Sequence, residues 1–359
     1  MFVGHALLAF AIATLVADWR GWSARQALTL GLVSGAFAAI PDVDMIYTVV
    51  ALDVGRLSAD TLRQPSVFWD ASRAVHRSIT HSLLISLAAG PAFGAWAAGT
   101  STSRGWLAVR AVASAILLTL VWAAWAYSGL AGAIVVGTFV AAGIAIARLA
   151  RTRTALPGRT IAFIATVGLL SHPWGDLVTG DPPRLLYPLD VQVVEETVLL
   201  HADPTVHLLG AFALELSVVW LAAFAIARVA GRSPLALLDR RAAIGVTYGV
   251  AAVVLTPPTL SVSYHFVFSI LGVGLIVGTF SLALHPATRL LGQRSRLRRR
   301  QSLTRDTGSL RQSWFTIPSV NLAGVLERYP SPFEAAFAAL GSVTVALASY
   351  ALVYVLIVG

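Results

Sequence analysis

The ionisable residues that border the apolar stretches fall into four short groups. They are His5 after Gly4; Asp42 and Asp44 in Pro41-Asp42-Val43-Asp44; His76, Arg77 and His81 in His76-Arg77-Ser78-Ile79-Thr80-His81-Ser82; and His172 and Asp176 in His172-Pro173-Trp174-Gly175-Asp176. Imidazole nitrogens and carboxylate oxygens together suit a divalent ion such as Zn²⁺, at about 2.0–2.2 Å. His172 and Asp176, four residues apart, share one face of a helix and can hold one ion. Pro173 suits a first helical turn, with His172 near the N-cap. Asp42 and Asp44 suit an extended turn after Pro41, one ligating or bridging metals while the other orients a His from behind. His76 and His81 are five apart and cannot share a face of one regular helix, so His76 is expected just before a helix and His81 in its first turn. Arg77 would then face developing negative charge, as Arg does at phosphoryl oxygens. An unligated carboxylate, Asp44, would take the proton from an attacking water.

Each group alone has a plainer reading. A single His5 on an apolar face is ordinarily a hydrogen-bonded core His, Pro-Asp-x-Asp a helix-ending turn, and His172 with Asp176 an interfacial pair. Their recurrence beside apolar segments carries the metal reading, because ionisable groups at membrane depth are costly and functional by default. The chain has no Cys, which excludes disulfides, thiolate metal sites and Cys nucleophiles.

The elements that must position these residues are membrane helices. The 359 residues are 57% hydrophobic and 12% charged, with mean hydropathy +0.76; that is half the usual charge, of about 25%, and too little to coat a soluble globule. Apolar runs of roughly 20 residues suffice to cross about 30 Å of hydrocarbon. Lipid offers no hydrogen bonds, so the spans must be helices or a closed barrel. The runs are continuous, without a barrel's alternation. The spans are expected at 2–17, 24–41, 79–99, 106–127, 129–149, 159–172, 205–229, 242–256, 261–284 and 335–358. The first and sixth are short for a full crossing. The fold class is therefore all-α: a polytopic helical bundle of about 8–10 transmembrane helices. The apolar run from Phe2 lacks a basic leader and a small-residue cleavage pattern, and is expected to stay in the mature fold.

All 26 basic residues are Arg, and threading the spans puts 21 of them on one side and 5 on the other. By the positive-inside rule the Arg-rich side is cytoplasmic. The same threading puts His5, Asp42, Asp44, His76, Arg77, His81, His172 and Asp176 on the opposite, non-cytoplasmic side of a plasma or inner membrane. The dense basic stretch Arg294–Arg305 in the loop 285–334 reads as an anchor to anionic headgroups rather than a nucleic-acid site. His201 and His207, with Glu195, Glu196 and Asp203, could add a ligand or a base. Val191–Leu200 has the look of a short strand.

The four groups, with Met1-Phe2-Val3-Gly4-His5 at the head, resemble the YdjM-like family of membrane-bound metal-dependent hydrolases, over about residues 1–190. That family is in turn distantly similar to zinc-dependent phospholipase C, where a His-x-x-x-Asp pair and further His and Asp residues hold zinc. The resemblance implies a hydrolase domain at 1–190, followed by an additional transmembrane region at 191–359. It implies one or two Zn²⁺ ions on His5, Asp42, His76, His81, His172 and Asp176, with Asp44 and Arg77 as catalytic groups. The substrate implied is a phosphoester on a membrane lipid or lipid-linked molecule. Two rivals are an ion or proton transporter, which would carry its carboxylates near the midplane, and a non-catalytic scaffold, which would leave the His/Asp constellation without a role.

Overall fold

The computed structural model describes residues 2–45, 77, 79–98, 104–154, 156–300 and 330–358. His76 lies outside them. Among the described residues the protein is all-α, with six helices long and apolar enough to cross a membrane, two shorter apolar helices and no strand. Val191–Leu200 is therefore not a strand. Its backbone bonds are local: Val198 N–H donates to the Leu177 carbonyl and Leu200 N–H to His207 Nδ1, which leaves no ladder.

The chain forms two compact units. The first contains residues 1–229 and 258–264, the second residues 230–257 and 265–359.

In the first unit, helix α1 (Phe2–Trp19) turns at Gly21 into α2 (Ala24–Ala39). Ser23 and Gln26 close a capping box on α2, each satisfying a backbone donor that the helix start would leave unpaired. Gly31 and Gly35 face Phe10, Thr14 and Ala6 of α1, where any Cβ would collide, so small residues set the close approach of the two helices. α2 continues as a 3-10 helix, Ile40–Met45, instead of the extended turn expected after Pro41.

Helix α3 (Leu83–Ala97) is capped by Ser82, whose hydroxyl accepts from the Leu84 and Ile85 amides. Gly90 and Gly94 press it against Thr166 and Ala162 of α5 (Gly158–Ser171). Between them runs α4 (Arg104–Arg153), broken at Gly129, where φ is 65°. A Cβ on Gly132 would stand 2.7 Å from the Ala124 carbonyl oxygen, whereas eight residues of straight helix separate such atoms by about 12 Å. The chain therefore doubles back at Gly129, and α4 is two passes, as the separate runs at 106–127 and 129–149 require. Phe93 sits at the centre, 5.9 Å from Phe37 and 5.8 Å from Phe139. Such offset aromatic pairs add about 0.5–1.5 kcal/mol each beyond burial.

α5 does not stop at Ser171 but tightens into a 3-10 helix, His172–Val178. The combined 21 residues are long enough to cross. Helix α6 (Pro204–Val229) packs on α1, and its Arg228 Nε meets Asp18 at 2.7 Å. The passes alternate. α2 and α5 run parallel, and both end at the same end of the unit as the starts of α1 and α3. Arg20, Arg25, Arg104, Arg153 and Arg228 border the opposite ends of these helices.

In the second unit, residues 240–250 form a 3-10 helix followed by a single α turn, α7 (Ala251–Val254). The α-helical span expected at 242–256 is thus corrected. Gly245 and Gly249 let this segment lie flush on α9 (Pro330–Val353), and Ser349 Oγ donates to the Gly245 carbonyl at 3.3 Å. At rises of about 2.0 and 1.5 Å per residue the fifteen residues still cover about 28 Å. Helix α8 (Tyr264–Arg300) contributes Phe266, which stacks edge-on with Tyr350 at 4.9 Å.

Candidate metal centre

Four donor atoms converge where α2 and α5 end and α3 begins. His81 Nε2 and His172 Nε2 are 3.0 Å apart. Asp176 Oδ2 is 3.2 Å from His81 Nε2 and 3.9 Å from His172 Nε2. Asp42 Oδ1 is 3.6 Å from His81 Nε2 and 3.4 Å from His172 Nε2. His5, in the first turn of α1, places Nε2 3.3 Å from Asp176 Oδ1, its ring 4.1 Å from that of His172. All five side chains are buried except Asp42, whose side chain keeps 11% of its surface open.

The tautomers follow from what lies behind the rings. His172 Nδ1 is 2.6 Å from the Ala38 carbonyl oxygen. A carbonyl only accepts, so Nδ1–H donates and, in the neutral ring, Nε2 turns a lone pair to the centre. Thr80 Oγ1 lies 3.1 Å from His81 Nδ1 and donates its own proton to Asp44 Oδ2, which is 3.5 Å from the same nitrogen; a hydroxyl backed by a carboxylate is thus placed to take the Nδ1 proton and leave His81 Nε2 in the same state. Two inward lone pairs 3.0 Å apart repel unless a proton or cation lies between them. Neither Asp42 Oδ2 nor Asp176 Oδ2 makes a hydrogen bond among the described residues. Buried acceptors left this way are costly.

These features fit a metal ion. Ligand atoms about 2.05 Å from a tetrahedral Zn²⁺ stand about 3.3 Å from one another. Five of the six separations among His81 Nε2, His172 Nε2, Asp42 Oδ1 and Asp176 Oδ2 run from 3.0 to 3.9 Å around that value. Two trios of ligand atoms satisfy metal spacing, His5/Asp42/His172 and His81/His172/Asp176, sharing His172.

Asp44 and Arg77 stand behind this shell. Asp44 is fully buried; its Oδ2 accepts from the Arg77 amide at 3.1 Å and the Thr80 hydroxyl at 3.2 Å. Arg77 has φ 62°, a conformation uncommon outside glycine. Its guanidinium donates to the carbonyls of Asp176 and Asp181 at 3.2 and 3.0 Å and to Thr179 Oγ1 at 3.1 Å, and pairs with Asp176 Oδ1 at 3.1 Å. Arg77 thus binds the 176–181 turn from outside.

The structure brings together His5, Asp42, Asp44, Arg77, His81, His172 and Asp176. It does not bring in the 195–207 group: His207 Nδ1 accepts from the Leu200 amide, His201 Nδ1 from the Asp203 amide, and Glu195 and Glu196 are exposed. Sequence reasoning passed over Thr80, Thr179 and the Ala38 carbonyl. Thr80 sits inside the His-Arg-Ser-Ile-Thr-His-Ser motif and could have been found there; a main-chain carbonyl carries no signal in a sequence.

No curated protein and no solved structure matches the chain. A family model does, over residues 1–238, a stretch that contains every residue of the centre. This multi-pass membrane chain belongs to the YdjM inner membrane protein family.

Proposed function

We propose that the protein is a membrane-bound, metal-dependent hydrolase acting on a phosphoester. The observation that carries this reading is the convergence of two imidazole nitrogens and two carboxylate oxygens, with five of their six separations between 3.0 and 3.9 Å. His81, His172, Asp42 and Asp176 would hold the ion, Zn²⁺ by donor type, and the second trio allows a second ion beside His5. A bound divalent ion supplies a polarised water and a Lewis acid for the scissile group.

The chain's own residues divide the remaining work. Asp42 borders the open side of the centre, and its Oδ2, itself buried, makes no hydrogen bond among the described residues, so it is the group placed to accept a proton from a water admitted to the centre. Asp44, expected to be that base, is engaged by Arg77, Thr80 and His81 and serves as a positioning residue. Arg77, expected to face the transition state, serves to hold Asp176. Because the centre lies at one end of the helices, a headgroup at the lipid–water boundary can reach it, and the Arg distribution favours reading that end as the non-cytoplasmic one. An ion pathway would instead carry its ligands toward the middle of the spans.

The test is elemental analysis of detergent-purified protein, wild type beside His172→Ala/Asp176→Ala, followed by turnover of phosphoester and lipid substrates by the metal-loaded form. Near-stoichiometric Zn²⁺ that is lost in the variant, with product formed by wild type alone, supports the reading. Protein that takes up no metal after reloading removes it.

A further inference from the structure

A cleft of about 630 Å³ opens at the end of the first unit opposite the metal centre. Trp22, Arg25 and Thr29 form one wall, at the start of α2; Thr152, Arg153 and Thr154 form the other, at the end of α4. Pro157, which precedes α5, closes it. α2 and α5 both begin here and end at the metal centre, so 14 to 16 residues of helix separate the two sites, about 21–24 Å.

The charge in this cleft is unbalanced. No Asp or Glu lines it. Among the described residues, neither Arg25 nor Arg153 has an ion pair or a hydrogen-bond acceptor for its guanidinium. Its neighbour Arg151 behaves differently and donates to the Leu156 carbonyl at 3.2 Å. The hydroxyl of Thr29 adds a donor, whereas that of Thr152 is spent on the Arg148 carbonyl at 2.9 Å. α5 begins without a side-chain cap, so its first amides are left for another acceptor. Trp22 is 38% exposed at the rim, the position of an interfacial aromatic anchor. Two guanidiniums, a hydroxyl donor and a Trp at the rim match one ligand chemistry, a phosphate held at the membrane surface.

We infer that this cleft binds the phosphate of an anionic phospholipid headgroup, separate from the metal centre. The lipid is the favoured source because the cleft lies at the end of spanning helices, where headgroups surround it at high local concentration, and because Trp22 can seat beside the acyl boundary.

The experiment uses the full chain in detergent, exchanged with equal amounts of phosphatidylglycerol and phosphatidylcholine, and reads retained lipid by native mass spectrometry. Wild type is expected to retain phosphatidylglycerol preferentially. Arg25→Gln/Arg153→Gln is expected to lose that preference, about tenfold for each charge-assisted contact removed. Arg104→Gln/Arg148→Gln, which removes the same charge from exposed helix positions outside the cleft, is expected to keep it. An unchanged preference in the first pair, or an equal loss in the second, would overturn the site. Displacement of the lipid by inorganic phosphate alone would overturn the lipid assignment in favour of a soluble phosphate. The metal content of these variants should match wild type, so the outcome stands apart from that of the hydrolase reading.

Discussion

His172 Nε2 and His81 Nε2 face each other at 3.0 Å, each ring held from the opposite side, one by the Ala38 carbonyl and one by the Thr80 hydroxyl with the Asp44 carboxylate behind it. The pairing needs a proton or a cation between the nitrogens, and the four converging donors suit a cation. Metal should therefore stabilise the fold. With free Zn²⁺ a hundredfold above its Kd, unfolding free energy should rise by about 2.7 kcal/mol. Thermal unfolding in detergent, with metal and with chelator, reads the difference, and coincident curves would count against the centre.

Asp44→Asn keeps an acceptor near His81 but removes the charge that fixes its tautomer. Metal affinity should drop by about 10–100-fold without being abolished. Competition with a chelator of known affinity measures it. An unchanged affinity would return Asp44 to the role of a free base.

Arg77→Met leaves Asp176 without its buried cationic partner. Breaking a buried pair from one side costs about 3–5 kcal/mol, so the metal-free variant should unfold earlier than metal-free wild type. Added Zn²⁺ should recover part of this, since the ion also neutralises Asp176. Hydrogen exchange should rise locally across 176–184, where Arg77 ties down the turn. A shift confined to turnover, with no change in stability, would favour the transition-state role instead.

Two glycines should respond differently to substitution. Gly94→Val forces side-chain atoms into Ala162 across α3 and α5, and should cost at least about 1–3 kcal/mol. Gly129→Ala meets nothing within 4 Å and pays only for φ 65° and ψ −158°, a region nearly closed to residues with a Cβ, at about 1–3 kcal/mol. Melting temperatures in detergent should rank wild type, then Gly129→Ala, then Gly94→Val.

The sequence made the site legible where the physics was one-dimensional. Apolar run lengths threaded the first unit correctly enough to bring His5, Asp42, His81, His172 and Asp176 to one end across more than 170 positions. The break at Gly129 was visible as a gap between two runs. Helical pitch was not visible, because hydropathy reads composition and not rise per residue; hence the 3-10 segments at Ile40–Met45 and Arg240–Val250 were missed. Val191–Leu200 carried strand-forming residues with no partner strand to pair with. The contacts of Asp44 and Arg77 behind the rings were not visible, because spacing says which residues meet and not which side of a ring they meet on.

The 171-residue interval between His5 and Asp176 also governs how the protein is made. A ribosome adding about 5–20 residues per second needs roughly 10–35 s to cover that interval. During this time α1 and α2 are already in the bilayer, their His and Asp side chains without the partners that α5 delivers. The centre cannot mature stepwise on a nascent hairpin. It closes in a single late event, when the pass that carries His172 and Asp176 leaves the insertion machinery, and an earlier halt would leave a membrane-lodged fragment without those two side chains.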